Sequence, residues 1–296
     1  MISKHKPRLA ISFSGGRSSA VMLKRCLELY DETHDMLITF ANTGCEHEDT
    51  LRFVDAVDRH FADGRVVWIE AEIHGPGVGP TAKVVTYKTA SRNGEPFRAA
   101  VEKYGVFGKS YPNCTGRLKT EPIHSFCRSQ GWGAGSYDTA IGIRADEIDR
   151  VSSKAKEHRF VYPLVNEGWT KRMVNKYMAQ FDWDLKLPGD HFGNCVWCWK
   201  KSLRKLMTVA RKDPAAFDFP GEMERRYGTV NNGDGEQPDP RVFFRGNRSA
   251  QDILREAMTR DFEPYTDDKF DDPELFDHLL DVGSACGESC EVGADE

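Results

Sequence analysis

The stretch Arg8-Leu9-Ala10-Ile11-Ser12-Phe13-Ser14-Gly15-Gly16-Arg17-Ser18-Ser19 decides the fold. Residues 8–13 are an apolar run of strand length, stopped by two glycines. From Arg17 to Tyr30, apolar residues then recur at helical spacing, at Val21, Leu23, Leu27 and Tyr30. The pattern repeats downstream. Met36–Ala41 ends in Asn42-Thr43-Gly44, an amphipathic stretch runs from Glu46 to Phe61, and a third apolar run spans Val66–Ala71. This alternation predicts an α/β, Rossmann-like parallel sheet with helices on both faces. Such sheets take ligands at the carboxyl ends of their strands, where the Ser-Gly-Gly and Asn-Thr-Gly turns fall.

Further along, residues 74–113 are rich in Gly and Pro, break the alternation and read as an insertion. A helix over Lys119–Gln130 leads to a strand over Tyr137–Ile143, which runs into Gly142-Ile143-Arg144-Ala145-Asp146-Glu147. Thr170 is placed to N-cap a helix through Gln180, and Cys195–Lys212 reads as helix. The organisation expected is a nucleotide-binding body over 1–212, a helical and loop extension over 213–260, and an acidic cysteine-containing tail over 261–296.

The chain has 296 residues, 39% hydrophobic and 29% charged, which is enough apolar material for a packed core. Its net charge of −5 is unevenly spread. Residues 261–296 carry 13 acidic side chains and one basic one, Lys269, so residues 1–260 hold 33 acidic and 40 basic residues. A basic body suits an anionic ligand or nucleic acid, and it is equally the solvated surface of any soluble domain. No apolar run approaches the roughly 18 residues of a bilayer span, and the N-terminus lacks a secretory signal. A cytoplasmic protein without a membrane partner is expected.

Several groups of residues carry chemistry. Small residues between strand and helix at Ser14, Gly15 and Gly16 offer backbone N–H groups at a helix N-terminus, where an anion is favoured. Ser14, Ser18 and Ser19 add hydroxyls and Arg17 adds charge. Arg144 and Asp146 end a strand at the ligand-binding edge. Asp146 or Glu147 could hold Mg²⁺ through oxygen or pair with Arg144. Lys119 and Arg117 are further anion-binding candidates.

Eight cysteines in a chain without an export signal argue against a disulfide framework. Cys195-Val196-Trp197-Cys198 is a spacing that lets two thiolates reach one metal centre, and Cys114 is the third candidate. Zinc would need a fourth ligand, for which His191 is available; a redox dithiol or buried thiols without metal are the plainer readings. Cys26 and Cys127 sit in helical stretches as core residues, and Cys45 follows the Asn-Thr-Gly turn. In the tail, Cys286 and Cys290 could attack a substrate, ligate a metal, or do neither. Between Gly193 and Lys212 there are six basic residues, among them Lys200, Lys201, Arg204 and Lys205, and no acid. Trp197 and Trp199 beside them could stack on bases of a nucleic acid or simply be core.

Taken together, Ser14–Ser19, Asn42-Thr43-Gly44, Arg117-Leu118-Lys119-Thr120-Glu121-Pro122-Ile123 and Ile141–Glu147 resemble the PP-loop ATP pyrophosphatase superfamily. Within it, they resemble the phosphoadenosine phosphosulfate (PAPS) reductase family and its phage-borne relatives. The PP-loop usually has Lys and Asp where Arg17 and Ser18 stand, and the reductases usually have Asp where Asn42 stands. The resemblance implies that Ser14, Gly15, Gly16, Arg17, Ser18, Ser19, Asn42, Thr43, Gly44, Gly142 and Lys119 bind ATP or a sulfonucleotide, with Mg²⁺. Iron–sulfur relatives place a Cys-Cys pair before their Arg-Lys segment, where this chain has Cys114-Thr115. The implied centre is a [4Fe–4S] cluster on Cys114, Cys195 and Cys198, its fourth position open or filled by Cys286, Cys290 or His191.

Three functions follow as expectations. The first is an ATP-dependent sulfurtransferase that adenylates an acceptor, nucleic acid being one, and passes sulfur from a donor to it. The second is an APS or PAPS reductase using Cys286 or Cys290 and thioredoxin. The third is a non-catalytic nucleotide- or nucleic-acid-binding module.

Overall fold

A computed structural model describes residues 6–109, 111–230 and 240–267. Cys286, Cys290 and almost all of the acidic tail lie outside these residues.

The first strand, β1 (Arg8–Ser12), runs through the loop to α1 (Arg17–Tyr30). Next come β2 (Asp35–Asn42), α2 (Glu48–Val57) and β3 (Val66–Glu72). The 74–113 region contributes β4 (Thr81–Val85) and α3 (Glu95–Tyr104). A π-helical turn over Gly116–Thr120 then leads into α4 (Glu121–Ser129), followed by β5 (Asp138–Ala140) and β6 (Phe160–Val161). The remaining α-helices among the described residues are α5 (Pro163–Asn166), α6 (Lys171–Met178), α7 (Leu203–Lys212), α8 (Asp218–Tyr227) and α9 (Ala250–Thr259).

The sheet order is β4-β3-β2-β1-β5-β6, parallel throughout except for the antiparallel edge pair β3–β4. The chain winds outward from β1 to β3 and then returns to the other side of β1 at β5. The order therefore reverses beside the carboxyl end of β1, where sheets of this kind open a crevice. Alternate residues face opposite layers. Leu9, Ile11, Ile38, Phe40, Val66 and Trp68 pack with α1, α2 and α6, whereas Ala10, Ala41 and Ile69 pack against Ile123, Phe126 and Cys127 of α4. Burial on both faces explains why these strands read as continuous apolar runs.

A further apolar core joins α3 to residues 192–199 and to α7, α8 and α9, with Phe97, Val101, Phe107, Phe217 and Phe243 at its centre. One sequence expectation changes here, and one reading left open is decided. Cys195–Ser202 is not helical: it is a set of turns closed by N–H bonds from Cys198 to the Cys195 carbonyl and from Lys201 to the Cys198 carbonyl, both 3.0 Å. The helix begins at Leu203, capped by Ser202, whose Oγ accepts from the Lys205 N–H. Trp197 and Trp199 are core residues at 4% and 6% exposure, so neither presents a face for stacking on bases. Thr170 does cap its helix, accepting from the Met173 N–H.

Candidate active site at the carboxyl edge of the sheet

Strand β1 delivers Ser14, Gly15 and Gly16 to the start of α1. Gly15 has φ +84°, and a Cβ there would stand 2.9 Å from the Thr50 methyl and 3.1 Å from Phe40 and Val54, so the loop lies directly on α2 and β2. One side chain organises the turn. Ser19 Oγ accepts from the N–H of Ser14 (3.2 Å), the N–H of Gly16 (3.3 Å) and the hydroxyl of Ser14 (2.9 Å), and donates to the Gly16 carbonyl.

Arg144, 6% exposed, reaches the same helix end from beyond β5. Its Nη1 donates to Ser18 Oγ at 2.7 Å and its Nε to Asp146 at 3.1 Å, with Glu147 at 3.4 Å. Gly142, on the path from β5, is buried. Arg17 is held by Asp184 at 2.9 Å and by the Leu185 carbonyl, with Asp190 at 3.7 Å. Asp190 in turn accepts from Lys171 Nζ at 2.8 Å. Residues 185–194 thereby form the outer wall of a cavity of about 30 Å³ whose floor is Ser14–Arg17.

At the end of β2, Asn42, Thr43 and Gly44 are all buried. Asn42 Nδ2 donates to Glu70 (2.7 Å) and to the Ser91 carbonyl (2.9 Å), while its Oδ1 accepts from the Gly44 N–H. Thr43 Oγ1 bonds Glu46 at 2.9 Å and lies 3.4 Å from Cys195 Sγ. Glu46 collects the N–H groups of Thr43 and Cys45 and faces Lys119 Nζ at 3.7 Å, both side chains being buried. An isolated bridge between Glu46 and Cys195, with Val196 N–H bonding the Cys45 carbonyl at 3.0 Å, ties the distant 195–199 turns to this edge.

Cys114, Cys195 and Cys198 line a single cavity, together with Thr43, Phe97, Thr115, Leu118, Lys119, Trp197 and Trp199. The described cysteines form no disulfide. The cysteines are donors of the kind a metal centre uses but do not stand in a ligand arrangement: they share the wall of one cavity with Trp199, whose Nε1–H has no hydrogen-bond partner. The cavity volume of about 20 Å³ is the room of one small occupant, so a cluster needs the walls to part. Among the described residues, no three His, Cys, Asp or Glu side chains stand as a preassembled metal-binding group. His191 is not on the cavity wall; it is buried against Phe192 and Tyr265, and desolvation with the positive charges of Lys212, Lys201 and Lys205 pushes its pKa down to about 4. Cys45 is pushed well above the usual thiol range, first by burial and then by neighbouring Cys195 and Glu46.

The model of the phosphoadenosine phosphosulfate reductase domain matches residues 8–186. The chain belongs to that family. It is therefore a member of the PP-loop ATP pyrophosphatase superfamily. An uncharacterized nin-region protein of Escherichia phage lambda is 32% identical over 292 residues, covering 95% of this chain and 94% of its own. An uncharacterized protein of Methanocaldococcus jannaschii is 27% identical over 245 residues, covering 77% of this chain and 44% of its own.

In this reductase-domain chain the matched stretch contains the Ser14–Ser19 loop, Asn42–Gly44, Cys114, Lys119 and Arg144, but stops short of Cys195 and Cys198. Lys201, of the basic segment, is 8% exposed and donates to the Cys195 and Val196 carbonyls, while Arg204 is exposed. Lys200 stands 5.7 Å over the Trp199 ring and Lys205 4.5 Å over that of Tyr265. The sequence reading missed Glu46, Glu70, Asp184 and Asp190. Each is an acid whose partner lies far away in the chain or across a loop, and no local spacing marks it. No helix among the described residues is long and apolar enough to cross a membrane.

Proposed function

We propose that the chain is a nucleotide-activating sulfur-transfer enzyme, with the Ser14–Ser19 loop as phosphate site and Cys114, Cys195 and Cys198 as the sulfur-handling site. The observation that carries this reading is the Thr43–Cys195 contact of 3.4 Å, because it sets the thiol cavity against the strand next to the phosphate loop. In this reading an acceptor oxygen attacks the α-phosphorus of ATP and pyrophosphate leaves. The sulfur of a sulfide donor then attacks the atom bearing the adenylated oxygen, and AMP leaves with that oxygen.

The N–H groups of Ser14 and Gly16, now turned to Ser19, are donors a phosphate oxygen can take over at the positive end of α1. Arg144, Arg17 and Lys119 would supply cations, and Asp146, now paired with Arg144, would hold Mg²⁺ near them. Asn42, Thr43, Gly44 and Gly142 shape the nucleotide crevice. Cys114, Cys195 and Cys198 would hold the metal centre, an iron–sulfur cluster or zinc; an iron–sulfur cluster, when bound, supplies an iron that can carry sulfur. The fourth ligand would be open or come from Cys286 or Cys290. The division into a 1–212 body, a 213–260 extension and a 261–296 tail, and a cytoplasmic location, go with this proposal.

The family match favours a second reading, a sulfonucleotide reductase in which Cys286 or Cys290 attacks the sulfur of APS or PAPS and thioredoxin releases sulfite. ATP–pyrophosphate exchange that depends on an added acceptor supports the first reading, and sulfite release with thioredoxin supports the second. Neither activity, with nucleotide binding intact, returns the chain to a binding module. Arg144→Ala should weaken nucleotide binding about tenfold, the scale of one charge-assisted contact. Anaerobically purified Cys195→Ala should lose bound metal, and full metal content in that variant removes Cys195 from the ligand set.

A further inference from the structure

The largest cavity described is neither of those above. It is an open groove of about 930 Å³ beyond the end of β3, walled by Ile73–Gly77, the last turn of α3, Tyr111, Arg117 and Arg241. It shares no lining residue with the phosphate-loop cavity or the thiol cavity. Its charged lining is Lys103, Arg117 and Arg241 against a single carboxylate, Glu102, with His74 beside them. Arg117 also pairs with Glu121, and Lys103 Nζ donates to the Gly75 and Val78 carbonyls, so with three cations against two carboxylates the groove keeps a net positive charge that favours an anion.

Its aromatic content adds a second requirement. The Arg117 guanidinium lies 4.6 Å from the Tyr104 ring centre, and the Arg241 guanidinium 5.6 Å from that of Tyr111. Tyr111 in turn stacks on Phe107 at 5.7 Å and 17°. Each guanidinium backed by a tyrosine offers a flat cationic plate, which accepts a base on its face and a phosphate on its edge. Arg117 Nε–H is buried with no hydrogen-bond partner, a donor that a ligand oxygen would satisfy. Two such plates in one groove match a ligand in which planar rings and phosphates alternate.

The position relative to the thiols matters as well. Arg117 lines the groove, while Leu118 and Lys119, the next residues of the same turn, line the thiol cavity. Whatever lies in the groove is one turn of backbone away from Cys114. From this placement we infer that the groove binds a single-stranded segment of nucleic acid, which is the acceptor of the sulfur transfer. The inference rests on the sulfur-transfer reading for the word acceptor, but its test does not use that activity.

The full chain is titrated into a fluorescently labelled single-stranded ten-nucleotide probe, with anisotropy read at two salt concentrations. Binding that weakens as salt rises is expected. Arg241→Ala should weaken it about tenfold, the scale of one stacked base, and Arg241→Lys should recover part of the loss by restoring charge without the plate. Lys88→Ala, exposed just beyond β4, should leave binding unchanged. ATP binding should be unaltered in all three variants, which shows them folded and separates this result from the phosphate-loop assignment. Affinity within twofold of wild type in Arg241→Ala, or displacement of the probe by AMP at equal phosphate concentration, overturns the inference. Loss of ATP-dependent sulfur chemistry with strand binding intact would count against the proposed reaction and leave the groove assignment standing.

Discussion

The Ser14–Ser19 turn and the thiol cavity sit side by side but are built in opposite ways. The backbone of the turn is held locally, by hydrogen bonds through Ser19, while Gly15 rests on Thr50, Ser18 accepts from Arg144 and Arg17 is tied to Asp184. The cavity is made of fragments from residues 43, 97, 114–119 and 195–199, held by a buried carboxylate, Glu46, that no fragment supplies alone. A local site tolerates change elsewhere and fails at its own residues, whereas an assembled one fails wherever its struts are cut.

The sharpest way to break this comparison is at Lys119. Lys119→Met leaves the Glu46 carboxylate buried without its cation and should cost about 3–5 kcal/mol, read by denaturant unfolding. The double variant with Glu46→Gln should recover much of that. A loss below about 1 kcal/mol would mean that Glu46 is satisfied by its N–H donors and the cavity is not strutted by charge.

Gly15→Ala comes next. A left-handed φ of +84° on alanine costs about 1–2 kcal/mol, and the Cβ meets Thr50 at 2.9 Å. Nucleotide binding should fall while bound metal per chain stays at the wild-type level. Joint loss of both would show that the two sites are one cooperative unit.

Thr43→Val removes the hydroxyl that joins Glu46 to Cys195 while keeping its shape, and should cost about 1–2 kcal/mol with a lower metal content. Unchanged metal would move the junction elsewhere.

The smallest effect expected is at His191, whose ring nitrogens have no hydrogen-bond partner. Its folded pKa of about 4 lies below the ordinary 6.5, so the unfolded chain binds the extra proton between those values. Wild-type stability should therefore fall as pH drops from 6.5 towards 4. His191→Phe should be near neutral at pH 7.5 and relatively more stable at pH 5 by urea unfolding. Parallel pH curves for the two proteins would refute the assignment.

The same contrast explains what the sequence could show. Buried parallel strands flanked by helices leave long-lived periodicity, so β1, β2, β3 and α1 were legible, α1 to its end residues Arg17 and Tyr30. Strand β4 was not: it is an edge strand with a half-exposed pattern inside a Gly- and Pro-rich stretch, and its partner β3 is paired antiparallel. Cys195–Ser202 carries apolar and basic residues at spacings that suit a helix, yet the Thr43–Glu46 edge and the Phe97 cluster hold it as turns, an influence that local propensity does not contain. Arg17 was legible as an anion-binding candidate from its place at the loop, whereas its ion-pair partner Asp184, 167 positions away, was not.

The family match ends at residue 186, whereas the apolar cluster around Phe97, Val101 and Phe107 is completed by residues 192–257. A fragment trimmed to the matched boundaries would keep its phosphate turn but leave those aromatic side chains facing solvent. Expression trials, gene fusions and searches for truncated homologues should treat the whole span to the end of α9 as the smallest heritable piece.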